Sequence, residues 1–244
     1  MSFDSEALEE LASSISTLGL IQPITVRRKS DGRYQIISGE RRFRACQLTG
    51  MDMVPAYIRD ANDQGMLEMA IVENIQRENL DPIEIAMSIM DQDEINMHGP
   101  EHHVLDGASL LTALYNNNPS FNLEEALDEL IVRGKLMPGA TCGKWGVCGS
   151  VSSVGAALSI IHNTGPLSSD EYYKDHMELT SKILDKMSKI GGPRCCKRNA
   201  FISLSTAIEF IKDKYDIHLL SQDITCHYMS NNKQCINLRC PYFK

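Results

Sequence analysis

The sequence has no run of apolar residues long enough to cross a membrane, since no window approaches the roughly 18 residues that a spanning helix needs. The first residues, MSFDSEALEE, are acidic and polar, and they contain neither the basic nor the apolar segment of a secretion signal. These absences predict a cytoplasmic protein. The net charge of −8 argues against a protein that coats nucleic acid with its whole surface, although it is compatible with a local basic face.

Cysteine is nearly absent from the first half of the chain, where Cys46 is the only one before residue 140. The spacing of the others contains no CxxC pair, of which a zinc ribbon needs two. This change in composition predicts two domains, residues 1–92 and 93–244. The later cysteines follow the pattern C-x5-C, C-C and C-x8-C-x4-C-P: Cys142, Cys148, Cys195, Cys196, Cys226, Cys235 and Cys240.

Clustered cysteines in a reducing compartment bind metals or carry out redox chemistry more often than they form disulfides. Thiolates suit soft metals, so these seven are predicted to hold an iron–sulfur cluster or zinc. Reactive thiols and simple packing residues are the two alternatives that stay open. A helix predicted to start at Pro193, together with the cations around it, favours a thiolate at Cys195 or Cys196.

The stretch HGPEHH adds His98, Glu101, His102 and His103 as candidate metal or substrate contacts. It formally contains H-x-x-E-H, the inverted order of a zinc peptidase motif. That motif requires one continuous helix, and a glycine and a proline fall inside this one. We therefore expect metal or substrate contacts here, or a polar helix start, rather than peptidase chemistry.

The first ninety residues alternate between helix and strand patterns. Helical spacing of Leu8, Leu11 and Ile15 predicts a helix over 5–19. An Asp-Gly turn between two β-rich runs predicts a hairpin, and Asp81 followed by Pro82 predicts a capped helix start. The other predicted elements of this part are strands at 23–28, 34–38 and 52–60 and helices at 62–79 and 81–91.

The stretch GERRFRA opens a helix directly after the second predicted strand. Gly39 lets a ligand approach the backbone closely, and free N–H groups at a helix start, with Arg41 and Arg42, suit phosphate oxygens. A surface helix start with exposed charges explains the same residues equally well.

A second polar stretch, ENIQREN, offers oxygens that suit Mg²⁺ in Glu73 and Asn74. Glu73 and Arg77 are four residues apart, so a surface ion pair is the alternative interpretation.

Together, GERRFRA and ENIQRENL resemble the signature segments of the N-terminal domain of the ParB chromosome-partitioning family, over about residues 3 to 90. The resemblance implies a domain that binds CTP with Mg²⁺, forms a dimeric clamp and turns nucleotide over slowly. It implies Mg²⁺ ligands at Glu73 and Asn74 and a nucleotide pocket lined by Gln22, Ser38, Gly39, Glu40, Arg41, Arg42 and Arg77. No helix-turn-helix is recognisable after residue 90, so sequence-specific DNA binding is not expected.

Residues 94–244 resemble an uncharacterised cysteine-rich domain of anaerobic microbes that is sometimes found beside methyltransferase modules. The resemblance rests on MHGPEHH, CGKWGVCGS, GGPRCCKR and the terminal C…RCPYF. Apolar spacing predicts mainly helices here, at 101–117, 122–135, 151–165, 168–192 and 193–215. The expected fold class is therefore α+β, a small mixed domain followed by a mainly helical one.

Three functions are compatible with these patterns. The leading hypothesis is a CTP- and Mg²⁺-binding regulatory module coupled to a cysteine-rich metal domain, with slow CTP hydrolysis left open. The second is an enzyme with redox or methyl-transfer-related chemistry in the cysteine domain. The third is a DNA-associated partitioning-type protein, because basic residues outnumber acidic ones from residue 182 onwards.

Overall fold

The computed structural model describes residues 5–20, 23–29, 31–59, 81–92 and 95–244. The chain forms two compact units, residues 1–73 and 74–244. A small mixed unit precedes a helical one, which confirms the predicted α+β class. The division places the helix after Asp81 in the second unit, whereas the sequence assigned residues up to 92 to the first domain.

The first unit has a three-stranded sheet in the order β2-β1-β3. β1 is antiparallel to β2 and parallel to β3. Gly32, with φ 82°, supplies the left-handed turn between β1 and β2, so the predicted hairpin is confirmed. The described elements are α1 (Ser5–Leu18), β1 (Ile24–Arg28), β2 (Tyr34–Ser38), α2 (Glu40–Leu48) and β3 (Ala56–Arg59).

Helices α1 and α2 pack together through a small apolar cluster. Its buried members are Ala12 and Ile15 of α1 and Ala45 and Cys46 of α2. Burial raises the pKa of the Cys46 thiol, so this cysteine is a neutral core residue. It lies in a different unit from the other seven cysteines.

The second unit is a helical bundle followed by a C-terminal segment without helices longer than one turn. That segment, residues 216–244, contains only the 3-10 turns Met229–Asn231 and Asn237–Arg239. The helices are α3 (Pro82–Met90), α4 (His102–Asn117), α5 (Leu123–Leu136), α6 (Thr141–Lys144), α7 (Gly149–Ile161), α8 (Tyr172–Ile190) and α9 (Cys196–Tyr215).

Local signals predict the start of α3 and place the start of α9 too early. The Asp81 side chain accepts hydrogen bonds from two backbone N–H groups, and Pro82 is the first helical residue, as predicted. The helix predicted from Pro193 instead begins at Cys196, because the Cys195 sulfur caps it by accepting the Arg198 N–H at 3.4 Å.

Helix α4 lies at the centre of the second unit, in contact with α3, α5, α7 and α9. All its residues from His102 to Leu114 are buried. It approaches α7 most closely at Gly107, whose N–H donates to the Ser153 hydroxyl at 2.8 Å. That hydroxyl in turn donates to the Val104 carbonyl at 3.2 Å, so the crossing satisfies its own polar groups.

Replacing Gly107 with alanine is expected to destabilise the protein by about 1–3 kcal/mol. A Cβ at this position would lie 2.4 Å from the Ser153 carbonyl oxygen, so two packed helix backbones would have to separate. Gly143→Ala is the matched control because a Cβ there meets nothing within 4 Å. Urea unfolding of both variants measures the difference, and equal midpoints would contradict the close crossing.

Candidate functional site

The turn before α2 has the geometry that the anion-site interpretation requires. Gly39 has φ 100° and ψ 26° and precedes α2 as its N-cap, and no side chain caps the helix. A Cβ on this glycine would lie 2.9 Å from the Ile24 side chain, on the neighbouring strand. Both the positive φ and the close approach explain why glycine occupies this position.

Two arginines follow this turn in different environments. Arg42 is half-buried, and its Nη1 donates to the Pro23 carbonyl at 3.0 Å, which ties α2 to the start of β1. Arg41 is exposed beside the helix N-terminus. Arg41 is therefore the better-placed cation for an anionic ligand, while Arg42 also has a structural contact.

The rest of the predicted nucleotide pocket lies outside the described part of the chain. Gln22, Glu73, Asn74 and Arg77 are not among the described residues. Only the backbone is described at Ser38 and Glu40. Their roles in nucleotide and Mg²⁺ binding stay predictions.

In the second unit, a chamber of about 240 Å³ opens at the start of α4. The N-terminal ends of α7 and α9 meet it, so two helix dipoles point toward this space. Residues that line the chamber and carry functional groups are His98, His102, His103, Thr141, Cys142, Cys148, Ser150, Arg194, Cys196 and Asn199.

A buried histidine–carboxylate pair borders this chamber. His102 Nδ1 lies 3.2 Å from Asp106 Oδ1, one turn further along α4, and both residues are essentially inaccessible. A carboxylate only accepts, so Nδ1 is the donor of this pair, and in the neutral tautomer Nε2 has a free lone pair. His102 Nε2 is buried and has no hydrogen-bond partner in the described part of the chain. An imidazole held in this way by a carboxylate is suited to bind a metal or accept a proton.

The other candidates around HGPEHH are already engaged in structural contacts. His98 Nε2 lies 3.2 Å from both Asn232 Oδ1 and Gln234 Oε1, and its Nδ1 is 3.5 Å from the Cys196 N–H. The Nδ1 atom of His103 lies 3.1 Å from the Met137 carbonyl.

The remaining candidate of this motif, Glu101, accepts from Asn96 Nδ2 at 2.9 Å. Helix α4 begins at His102, so the peptidase motif does not lie on one helix.

Two thiols of the chamber, the buried Cys148 and the half-buried Cys196, have raised pKa values that favour the neutral form. Burial is the main factor that raises the pKa of Cys148, and the Asn199 amide, which donates to its sulfur at 3.2 Å, lowers it in part. Burial, followed by the nearby Cys148 and Asp106, raises the pKa of Cys196 to about 11, although a backbone hydrogen bond with Gly99 and the charge of Arg194 act in the opposite direction. These shifts run against the expectation of an activated thiolate at Cys195 or Cys196, because burial raises the pKa of both thiols more than neighbouring cations lower it.

The other four cysteines lie around a second, much smaller cavity of about 20 Å³. We call Cys195, Cys226, Cys235 and Cys240 the C-terminal thiol set. Burial is the first cause that raises the pKa of Cys226, and the three other thiols of the set raise it further. The seven cysteines that were predicted from the sequence to form one site are thus divided between two cavities.

No disulfide links the eight cysteines. Within the described residues, no group of three or more His, Cys, Asp or Glu side chains is arranged to hold a metal ion. The metal prediction therefore stays a prediction. Sequence reasoning also missed Asp106 and Lys197, both buried beside the chamber residues, because nothing in the local pattern distinguishes them from ordinary surface charges on a helix.

Comparison with known proteins assigns the second unit. A family model described as a family of unknown function, DUF5714, matches residues 71–243. The chain belongs to this family. A model of the ParB N-terminal domain matches residues 1–75, so a ParB-like domain precedes the DUF5714 domain.

Curated relatives match over part of the chain. A probable chromosome-partitioning protein ParB of Pseudomonas putida is 55% identical over 86 residues, which are 35% of this chain and 30% of that protein. A probable ParB of Campylobacter jejuni is 41% identical over 137 residues, 56% of this chain and 49% of the relative. A nucleoid occlusion protein of a Geobacillus species is 52% identical over 35% of this chain and 31% of its own length. The chain spans between 30% and 49% of the length of these relatives.

Two crystal structures of C-terminally truncated ParB from Caulobacter crescentus are also similar. One, complexed with CTP-gamma-S, is 32% identical, with a TM-score of 0.30 over 66% of this chain and 89% of the other. The other, complexed to the centromeric parS site, is 23% identical, with a TM-score of 0.32 over 83% and 89%. Among the described helices, none is long and apolar enough to cross a membrane.

The burial of Cys148 predicts slow alkylation by iodoacetamide at neutral pH, because only the thiolate reacts and burial disfavours it. Cys142, half-buried at the same chamber, is the internal control and is expected to react first. Because the Cys148 pKa is raised, its rate should keep rising with pH beyond the range in which an ordinary thiol levels off. Peptide mapping of the folded, metal-free chain measures both rates, and Cys148 reacting as fast as Cys142 at pH 7 would contradict the assignment.

Proposed function

We propose that this protein is a nucleotide-responsive regulatory protein, in which the ParB-like domain binds CTP with Mg²⁺ and the DUF5714 domain binds a soft metal through cysteines. The observation that carries the first half is the left-handed turn at Gly39, within a segment that matches the ParB N-terminal domain. The backbone N–H groups that follow this turn face no capping side chain, which leaves the helix N-terminus suited to a phosphate group.

In this proposal Arg41 binds the triphosphate, and Gly39 allows the phosphates to approach the backbone. Gln22, Ser38, Glu40, Arg42 and Arg77 complete the pocket, and Glu73 and Asn74 hold Mg²⁺, as the ParB resemblance implies. Bound nucleotide would then set the conformation or the dimerisation of the ParB-like domain. Slow hydrolysis of CTP is part of the same proposal and requires no further residue of the second unit.

Arg41→Ala is expected to weaken CTP binding by about tenfold or more, since a hydrogen bond to a charged group contributes about 1.5–3 kcal/mol. Arg33→Ala is the matched control, because Arg33 is also exposed and pairs with the nearby Asp31 at the hairpin turn. Titration calorimetry with CTP and Mg²⁺ measures both variants. Circular dichroism verifies that they fold, and unchanged affinity in folded Arg41→Ala would reject the pocket.

The metal half of the proposal rests on the number of thiols in the second unit and on their grouping around two cavities. Thiolate ligands suit zinc or an iron–sulfur cluster. Anaerobic purification followed by elemental analysis for iron, sulfide and zinc tests this half independently of nucleotide. A chain that carries no metal and takes up none when iron or zinc is supplied would reject it, while CTP binding would be unaffected.

The chamber favours a second candidate function, an enzyme with redox or methyl-transfer-related chemistry in the DUF5714 domain. The specific observation is His102 Nε2, which is buried and has no hydrogen-bond partner among the described residues, beside a cavity that three thiols also line. A redox enzyme predicts that dithionite reversibly bleaches a visible absorption band of the anaerobic protein. Absorption that does not respond to reductant or oxidant would count against a redox role.

A third candidate, association with DNA, follows from the names of the curated relatives, which are chromosome-partitioning and nucleoid occlusion proteins. It predicts binding of duplex DNA that weakens steeply with salt, in proportion to the number of phosphates contacted. Fluorescence anisotropy with a random-sequence duplex between low and physiological salt tests it. Binding that is absent even at low salt would remove this candidate.

A further inference from the structure

We infer that the C-terminal thiol set, Cys195, Cys226, Cys235 and Cys240, is a closed four-thiolate site for one zinc or iron ion that fastens the C-terminal segment to the helical bundle. This inference rests on the metal half of the proposed function and names its ligands. It assigns a structural role to the ion, whereas the chamber thiols stay outside the site.

The four thiols of the set come together from distant parts of the chain. Cys195 belongs to the bundle, where it caps α9, and the other three thiols come from the segment after residue 216. All four line the same cavity, whose volume of about 20 Å³ is enough for a single small ion or water. Closed sites with four cysteine ligands are typical of structural zinc and of single iron centres.

N–H groups donate hydrogen bonds to two sulfurs of the C-terminal thiol set. Cys195 Sγ accepts from the Arg198 N–H at 3.4 Å and from Asn232 Nδ2 at 3.5 Å. Cys235 Sγ accepts from the Asn237 N–H at 3.4 Å. Such donors stabilise the negative charge of a metal-bound thiolate, and they orient the ligands from the second coordination sphere.

The C-terminal segment also has little regular secondary structure. It contains no strand and only two single-turn helices, so few backbone hydrogen bonds hold it together. A backbone hydrogen bond from the Cys226 N–H to the Tyr242 carbonyl, at 2.9 Å, joins the middle of the segment to its C-terminal end. A metal cross-link supplies the stability that such a segment lacks, because binding energy becomes folding energy.

The four thiols do not stand at metal-ligand spacing in the structure, as no group of three potential ligands among the described residues does. Three of them belong to irregular chain, where a side-chain rotation and a small backbone adjustment do not disturb helix or sheet hydrogen bonds. The cavity is otherwise lined largely by apolar and aromatic residues, including Phe201 and Tyr242. Apolar surroundings limit the access of water and favour a closed structural site over a reactive one.

The test is metal analysis and limited proteolysis of the full-length chain purified without oxygen. The wild type is expected to carry one tightly bound zinc or iron ion per chain and to resist cleavage after residue 216. Cys235→Ser and Cys240→Ser are expected to lose that ion and to be cleaved rapidly in the C-terminal segment. Cys142→Ser is the matched control, since it removes a thiol of the same unit that lines the chamber, and it is expected to keep both ion and resistance.

Two outcomes overturn the inference in different ways. Metal that persists in Cys235→Ser and Cys240→Ser but disappears in Cys142→Ser would move the site to the chamber and leave the metal half of the proposed function intact. A wild-type chain that contains no metal and binds neither added zinc nor added iron would reject both. Spectra separate the two ions, because four-thiolate iron absorbs visible light and zinc does not.

Discussion

The burial of α4 on every side is the constraint on which the second unit depends. A helix in this position exposes no face to water, so each polar group on it needs a partner inside the protein. Ser153 meets this need at the α7 crossing by bonding both to Gly107 and to the Val104 carbonyl. At the N-terminal end of α4, His102 and Asp106 bond to each other, but His102 Nε2 and Asp106 Oδ2 have no partner among the described residues. These two atoms lie at the end of the helix that borders the chamber, and Thr112 Oγ1, further along α4, is a third buried atom without a partner in the described part of the chain.

The position of α9 explains why adjacent cysteines have different environments. Cys195 is the N-cap and Cys196 the first helical residue, and consecutive residues at a helix start point in different directions. One sulfur therefore lies in the small cavity of the C-terminal thiol set and the other at the chamber. Lys197, the next residue, is buried as well, with its Nζ 5.4 Å from the centre of the Tyr228 ring. Burial lowers the pKa of this lysine, whereas the charge of Asp106 raises it.

Much of the fold could be predicted from local sequence signals, whereas features that depend on contacts between distant segments could not. The Asp-Gly turn identified the hairpin, and Asp81 with Pro82 identified the start of α3, because these signals act within a few residues. The parallel pairing of β1 with β3 and the assignment of α3 to the second unit depend on packing between distant segments. In the same way, spacing identified seven cysteines, but it did not reveal that Cys195 joins the last three while Cys196 joins Cys142 and Cys148. The role of Asp106 was invisible because only the folded helix brings it one turn from a buried histidine.

The central claim is that nucleotide binding in the ParB-like domain regulates the cysteine-containing domain. Hydrogen exchange of the metal-loaded, full-length protein, with and without CTP and Mg²⁺, tests this most directly. The account predicts slower exchange at the start of α2, next to Gly39, together with a change in the DUF5714 domain. Protection confined to the first unit would show that the two domains function independently, and unchanged exchange at α2 at saturating CTP would contradict the nucleotide site itself.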